Sequence, residues 1–175
     1  VAGRIAELGP GDADDGLNVG QEVMAVTRFG GYATEIVVPR AQVFARPRGW
    51  TASECAAFPA VHLTADYAMQ ELVSPTEGGV HLVHSAAGGV GGVLVQMGRR
   101  AGCRVVGVVG AAHKVAEVER LGADVVIDKS SEDLWPAVER ASPEGYDAVF
   151  DANGVATLRQ SYQHLAPTGR LVVYG

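Results

Sequence analysis

Cysteine is scarce: Cys55 and Cys103 are the whole complement in 175 residues. Two cysteines so far apart build no disulfide framework and lack the C-x-x-C spacing of a structural zinc site. A reducing, cytoplasmic compartment is therefore expected, with no metal. Positive charge is short as well. Fourteen Lys and Arg stand against 20 Asp and Glu, a net charge of −6, and no dense basic cluster appears. That composition excludes nucleic acid as the principal partner. Long apolar runs are missing: stretches such as Val105–Ala112 fall far below the roughly 20 residues of a membrane-spanning helix. Neither an internal repeat nor a low-complexity tract is present. What is plentiful is apolar: 47% of residues are hydrophobic, enough to bury a sizeable core. The chain opens on Val1 with no Met or charged leader, and it stops at Tyr174-Gly175 just as a strand finishes. An internal stretch of a longer protein is the expectation.

The first third reads as short strands punctuated by Gly and Pro. Val1–Leu8 ends at Gly9-Pro10-Gly11, and Asp12–Asp15 is a small acidic, solvated loop. Gln21–Thr27, Ala33–Val38 and Val43–Ala45 follow as further apolar runs, a spacing that predicts an antiparallel or barrel-like β module. The character changes at Arg48-Gly49-Trp50. Thr51-Ala-Ser-Glu54 has the form of a capping box, opening a short helix to Phe58, and Pro59 can start another running to about Leu72. From Val80 onward strands near 80–84, 104–109, 124–128, 147–151 and 170–174 alternate with helices near 90–101, 112–121, 131–141 and 155–165. Such alternation predicts an α/β, doubly wound parallel sheet.

The most informative stretch is Val80–Arg100, a buried strand, a glycine-rich turn and an apolar helix. Ala86-Ala87-Gly88-Gly89-Val90-Gly91 stands where G-x-G-x-x-G stands in a Rossmann unit, with Ala86 in place of the first glycine. Gly88 would let the backbone approach a pyrophosphate, and Gly91 would let the helix lie tightly on the strand. The amides opening that helix would supply donors and partial positive charge to the anion. An NAD-type site places an acid about twenty residues past the glycines. Here the second strand ends Val109-Gly110-Ala111 with no acid, and His113 and Lys114 follow. A missing carboxylate with a nearby ammonium suits the 2′-phosphate of NADPH.

Other constellations carry less. His81 and His84, three apart on a strand, point to opposite faces and cannot chelate one ion. His62 stands in an apolar helical stretch and reads as a packed side chain. Ser85 lacks an identifiable base, and Arg99 and Arg100 sit at the far end of the helix, near its C-terminal dipole. Asp147 and Asp151 flank a strand, where capping or turn formation accounts for them. No general acid or base can be named.

With these residues in view, the chain resembles the medium-chain dehydrogenase/reductase superfamily, in its zinc-independent quinone oxidoreductase branch, and within it the vesicle-amine-transport-like proteins. The resemblance is carried by Val19-Gly20…Val23-Met24, Gly31-Tyr32-Ala33, Cys55-Ala56-Ala57-Phe58-Pro59, Leu63-Thr64-Ala65, Val83–Gly91, Leu121-Gly-Ala-Asp124 and Gly169–Gly175. It implies part of a GroES-like β-barrel substrate domain over residues 1–48. A Rossmann NADP-binding domain, lacking its last strands, would follow over 49–175. By position, Gly88, Gly89, Val90 and Gly91 would hold the pyrophosphate, and Gly110 and Lys114 would receive the adenosine 2′-phosphate. Thr64 would sit near the nicotinamide end, and Asn153 would edge the cofactor. The implied activity is hydride transfer from NADPH to a quinone, or to an activated alkene or carbonyl, without zinc, in a homodimer. The other reading is a non-catalytic NADPH-binding protein of the same fold with a structural or membrane-associated role. Gln21-Glu22, Asp66 and Lys129 depart from the family pattern; a lysine at 129 adds charge near the phosphate pocket.

Overall fold

The computed structural model describes residues 1–10 and 16–175; the acidic loop expected at Asp12–Asp15 lies outside them. Two compact units result, Val1–Val61 and His62–Gly175.

In the first unit β1 (Ala2–Arg4), β2 (Glu22–Ala25) and β3 (Val43–Ala45) form an antiparallel sheet in that order. Alternation places Val23 and Ala25 on the buried side of β2. Glu22, one of the departures from the family pattern, sets its carboxylate between the guanidinium groups of Arg4 and Arg46. The apolar run Ala33–Val38 is not a strand, contrary to expectation. Its hydrophobes are largely outward, Val37 almost wholly so, and a period of two has no meaning without a partner strand to pair with. The capping box forms as read: the Thr51 amide donates to Glu54 Oε2 at 2.7 Å and the Glu54 amide to Thr51 Oγ1 at 3.2 Å.

The helix it opens, α1 (Ala52–Asp66), continues straight through Pro59 where the sequence suggested two helices. Proline there removes one backbone donor, but its ring lies on the same buried stripe as Cys55 and Ala65. Apolar burial offsets the lost bond. Beyond Asp66 the chain widens into a π-helical stretch, Tyr67–Val73, stopped by Ser74 in the left-handed region. Arg170 Nη1 donates to the Leu72 carbonyl at 2.9 Å and holds that end.

The second unit is built on a five-stranded parallel sheet. Its strands are β4 (Val80–Val83), β5 (Arg104–Val109), β6 (Val125–Asp128), β7 (Tyr146–Asp151) and β8 (Leu165–Val173), in the order β6-β5-β4-β7-β8. Helices α2 (Gly89–Arg100), α3 (Val115–Leu121), α4 (Leu134–Ala141) and α5 (Leu158–Gln163) connect them. This is the α/β Rossmann-like arrangement the alternation predicted. One core gathers Leu82, Val106, Val108, Ile127, Val149 and Tyr146 from the strands with Ala137 and Val138 of α4.

Small residues set how closely α2 lies. A Cβ on Gly91 would stand 2.3 Å from the Ser85 carbonyl oxygen, and one on Gly98 would stand 2.9 Å from Val105. Two glycines seven residues apart thus clear one face of the helix for the sheet beneath. Strand β8 begins earlier than expected. Leu165 already pairs with Tyr146, and the chain bulges before Arg170 resumes the ladder opposite Ala148.

Candidate functional site at the carboxyl edge of the parallel sheet

The order β6-β5-β4-β7-β8 means that the chain leaves β4 in one direction, returns, and leaves in the other from β7. The crevice beyond the carboxyl ends of β4 and β7 is therefore the topological switch point, where open α/β sheets bind ligands. Both turns at that point carry residues the sequence singled out, Gly88 to Gly91 after β4 and Asn153 after β7.

After β4 the chain passes Ser85, at φ +52°, and enters the glycine turn. Gly88 is the N-cap of α2 in extended conformation and offers no side-chain cap. The amides of Gly89, Val90 and Gly91 consequently have no intrahelical acceptor, while the Gly92 amide already donates to the Gly88 carbonyl at 2.8 Å. Gly88 and Gly89 are exposed, Val90 is partly so and Gly91 is buried, so the turn opens outward at its first two donors. A Cβ on Gly88 would lie 3.1 Å from the Ser85 carbonyl oxygen, tighter than ordinary contact. Unaccepted amides at the start of a helix are donors of the kind an anion can use.

After β7 comes Asn153. Its Oδ1 accepts from Ser85 Oγ at 3.1 Å, so one hydrogen bond spans the switch point and ties the two turns together. Beneath it, Asp151 is fully buried. Burial alone would push its pKa up. Hydrogen bonds from Ser161, Thr157 and the Asn153 amide, with a smaller contribution from His84, outweigh that and hold the carboxyl below its ordinary range.

One strand further out, Gly110 and Lys114 follow β5, Lys114 closing a 3-10 turn over Ala112–Lys114 with its side chain exposed. Gly110 faces the Lys129 side chain at the end of β6, where a Cβ would stand 3.5 Å from Lys129 Cε. Asp128 ends the same strand, but its Oδ1 accepts from the Ser130 amide at 2.9 Å and the Ser130 hydroxyl at 2.7 Å. Those bonds, with His113 nearby, hold its pKa low.

Thr64 lies elsewhere on this edge. It lines an open groove of about 430 Å³ with Leu63, Tyr67, Leu72 and Val172–Tyr174, at the carboxyl end of β8. The groove is mostly apolar. Burial, helped by the charge of Asp151, pushes the Tyr174 hydroxyl to a pKa of about 12, so it stays a neutral phenol.

The structure thus brings Gly88, Gly89, Val90, Gly91 and Asn153 to one crevice, sets Gly110 and Lys114 one strand along, and leaves Thr64 in the separate groove. The local turn role read for Asp151 is present, its Oδ1 accepting from the amides of Asn153 and Gly154. Asp147 Oδ2 instead accepts at 2.7 Å from the Val80 amide, a bond across to the start of the neighbouring strand rather than a local cap. Arg99 reaches Asp124 at 3.5 Å, away from the crevice. What residue-by-residue reading missed is the pairing of Ser85 with Asn153 and the buried cluster under it. The available signal was Asp151, Thr157 and Ser161 in one strand-to-helix segment, the last two four residues apart.

Comparison with known proteins agrees with this geometry. A family model described as zinc-binding dehydrogenase matches residues 89–175. The rat synaptic vesicle membrane protein VAT-1 homolog is 32% identical over 174 residues, covering 99% of this chain and 43% of the relative. The structure of mycobacterial Rv1454c complexed with NADPH superposes with a TM-score of 0.90 at 31% identity, covering 100% of this chain and 55% of that one. A quinone oxidoreductase from Pseudomonas syringae pv. tomato gives a TM-score of 0.87 at 29% identity, covering 99% and 54%. The chain belongs to the medium-chain dehydrogenase/reductase superfamily, in its quinone oxidoreductase branch.

As a medium-chain dehydrogenase/reductase, the chain spans about half the length of the relatives it matches. The matching family model carries zinc in its description. Among the described residues, however, no three His, Cys, Asp or Glu side chains gather where they could hold a metal. No helix of the described residues is long and apolar enough to cross a membrane.

Proposed function

We propose that this chain supplies the dinucleotide-binding part of a zinc-independent, NADPH-dependent oxidoreductase acting on a quinone or an activated alkene or carbonyl. One observation carries the reading: three unaccepted amides, Gly89 to Gly91, open a helix at the switch point of a parallel sheet. In this reading Gly88, Gly89, Val90 and Gly91 hold the pyrophosphate, which a side chain at 88 would crowd. Lys114, with Gly110 leaving room and Lys129 adding charge, receives the 2′-phosphate. Asn153 edges the cofactor from the β7 side. Thr64 marks the nicotinamide end, and the apolar groove it lines suits a flat, weakly polar electrophile. NADPH, when bound, supplies the hydride. The developing oxyanion of the product is then met by hydrogen-bond donors and solvent rather than by a metal. The whole protein is proposed to be cytoplasmic and a homodimer.

A second reading keeps the cofactor and drops the chemistry: an NADPH-binding protein with a structural or membrane-associated role. The name of the synaptic vesicle membrane relatives favours considering it. Following NADPH absorbance with a simple quinone in the full-length protein, since the 175-residue stretch alone is expected to be inactive, separates the two. Consumption is expected. Saturable NADPH binding without turnover would favour the second reading, and absence of binding would refute both.

A further inference from the structure

A single buried carboxylate organises the whole β7-to-α5 connection. Asp151 Oδ1 accepts from the amides of Asn153 (2.8 Å) and Gly154 (3.1 Å). The Thr157 hydroxyl stands 2.7 Å from Oδ1 and 2.8 Å from Oδ2, and Ser161 Oγ donates to Oδ2 at 2.7 Å. Residues 153 to 161 are thus wound around one charge, and Asp151, Thr157 and Ser161 are all buried.

Proton bookkeeping fixes the next link. Ser161 has one hydroxyl hydrogen and gives it to the carboxylate, so toward His84 Nε2, 3.1 Å away, it can only accept. His84 therefore carries its proton on Nε2. Burial lowers its pKa more than the charge of Asp151 raises it, with Lys129 also lowering it, so the ring remains neutral. His84 itself is the residue just before Ser85, and Ser85 donates to Asn153 Oδ1. The chain of contacts closes into a loop: His84, Ser161, Asp151, Asn153, Ser85, and back to His84 along the backbone. Within that loop Ser85 is held at φ +52°, a left-handed conformation that disfavours a non-glycine residue.

We propose that Asp151, Thr157, Ser161 and His84 are positioning residues for the cofactor crevice. The cluster locks the Asn153 turn against the glycine turn. Because Ser85 occupies Oδ1, Asn153 is left to offer its Nδ2 hydrogens to an oxygen acceptor on the ligand. The inference depends on the NADPH reading of the crevice, and it adds that Asn153 acts as a donor whose orientation is set from beneath.

The test is a thermodynamic cycle on NADPH affinity, with unfolding temperature followed in parallel. Ser161→Ala is expected to weaken NADPH binding about tenfold, the scale of one misplaced hydrogen bond to a charged ligand. Asn153→Ala is expected to lose at least as much, and the double variant no more than Asn153→Ala alone. A purely structural role for Ser161 would lower the unfolding temperature yet leave the two affinity losses multiplicative, which would overturn the proposal. Should Ser161→Ala fail to fold, Thr157→Val against Thr157→Ser asks the same question. The hydroxyl-retaining variant is expected to bind as wild type and the valine variant to lose affinity; equal affinities would overturn the proposal. A wild-type protein that does not bind NADPH refutes the cofactor reading itself, whereas normal binding by folded Ser161→Ala refutes the positioning role alone.

Discussion

Gly91 and Gly92 are neighbours in α2, and the same substitution at each is expected to have opposite consequences. A methyl group on Gly91 would lie 2.3 Å from the Ser85 carbonyl oxygen and 3.0 Å from both Ala86 Cα and the Ser85 carbonyl carbon. All three atoms are backbone, and none can swing aside. Restoring ordinary contact requires the start of α2 to lift by about 1 Å. Overpacking of this kind costs about 1–3 kcal/mol. Replacing glycine by alanine in a helix returns up to about 1 kcal/mol. For a clash with rigid backbone the upper part of that cost, about 2–3 kcal/mol, applies. Subtracting about 1 kcal/mol of propensity leaves a net loss for Gly91→Ala of about 1–2 kcal/mol, which lowers the unfolding temperature of a domain this size by about 2–8 °C. At Gly92 the nearest atom is the flexible end of Leu121, at 3.2 Å, followed by the Ala86 oxygen at 3.6 Å. There the propensity gain stands nearly alone, and Gly92→Ala is expected to be neutral or slightly stabilising. Binding separates them further. Lifting α2 displaces the amides of Gly89 to Gly91 that face the proposed pyrophosphate, and an error of 1 Å costs roughly ten- to a hundredfold in a positioned site. Thermal unfolding and NADPH titration of both variants provide the assay. Equal unfolding temperatures, or equal NADPH affinities, would refute the argument from helix-to-strand distance.

Lys114→Ala is expected to weaken NADPH binding by roughly three- to tenfold, the modest range reflecting an exposed ammonium. NADH affinity should be unchanged, and equal losses for both would show that Lys114 does not read the 2′-phosphate. Acid should destabilise the fold through its buried histidines. Burial lowers the pKa of His81, only partly offset by Asp147, so below about pH 6.5 the unfolded chain binds the proton that the folded one refuses. That contribution is complete above the unfolded value and declines as pH falls toward the folded one. Urea midpoints should therefore drop between pH 7.5 and 5.5, and His81→Leu should shrink the drop; an unaltered slope would assign it to other groups.

How much of this was legible follows from which atoms do the work. The cradle is made of backbone, and backbone function leaves its mark in composition. That the atom a side chain would meet at both Gly88 and Gly91 is the Ser85 carbonyl oxygen is known only from the structure. The motif spacing alone, however, marks both as positions needing no side chain, Gly91 for close helix-to-strand packing. The same holds for Thr51 and Glu54, whose reciprocal bonds are local. Local rules fail where a distant partner decides. Ala33–Val38 is an apolar run of strand length, and it forms no strand. Pro59 has the look of a helix break, and its burial beside Cys55 and Ala65 lets the helix continue.

The Asp151 cluster shows why a candidate site can be found while its support is overlooked. Taken singly, each member has an adequate local explanation: Asp151 ends a strand, Thr157 stands at the N-cap of a short helix that carries Ser161, and His84 is a buried histidine just past the end of a strand. Only the parallel pairing of β4 with β7, with Val83 opposite Phe150, puts residue 84 beside residue 151. The hydrogen bond between the His84 amide and the Phe150 carbonyl, at 2.9 Å, extends that register by one residue. Strand order is a property of the assembled sheet, and no window of sequence contains it. The polar atoms of the cluster then have little freedom. A carboxylate this deep must be surrounded by donors or be protonated, and it finds four of them within a ten-residue segment. Satisfying that charge fixes the backbone between Asn153 and Ser161, and this is how a requirement of burial becomes the rigidity of a turn at the ligand crevice.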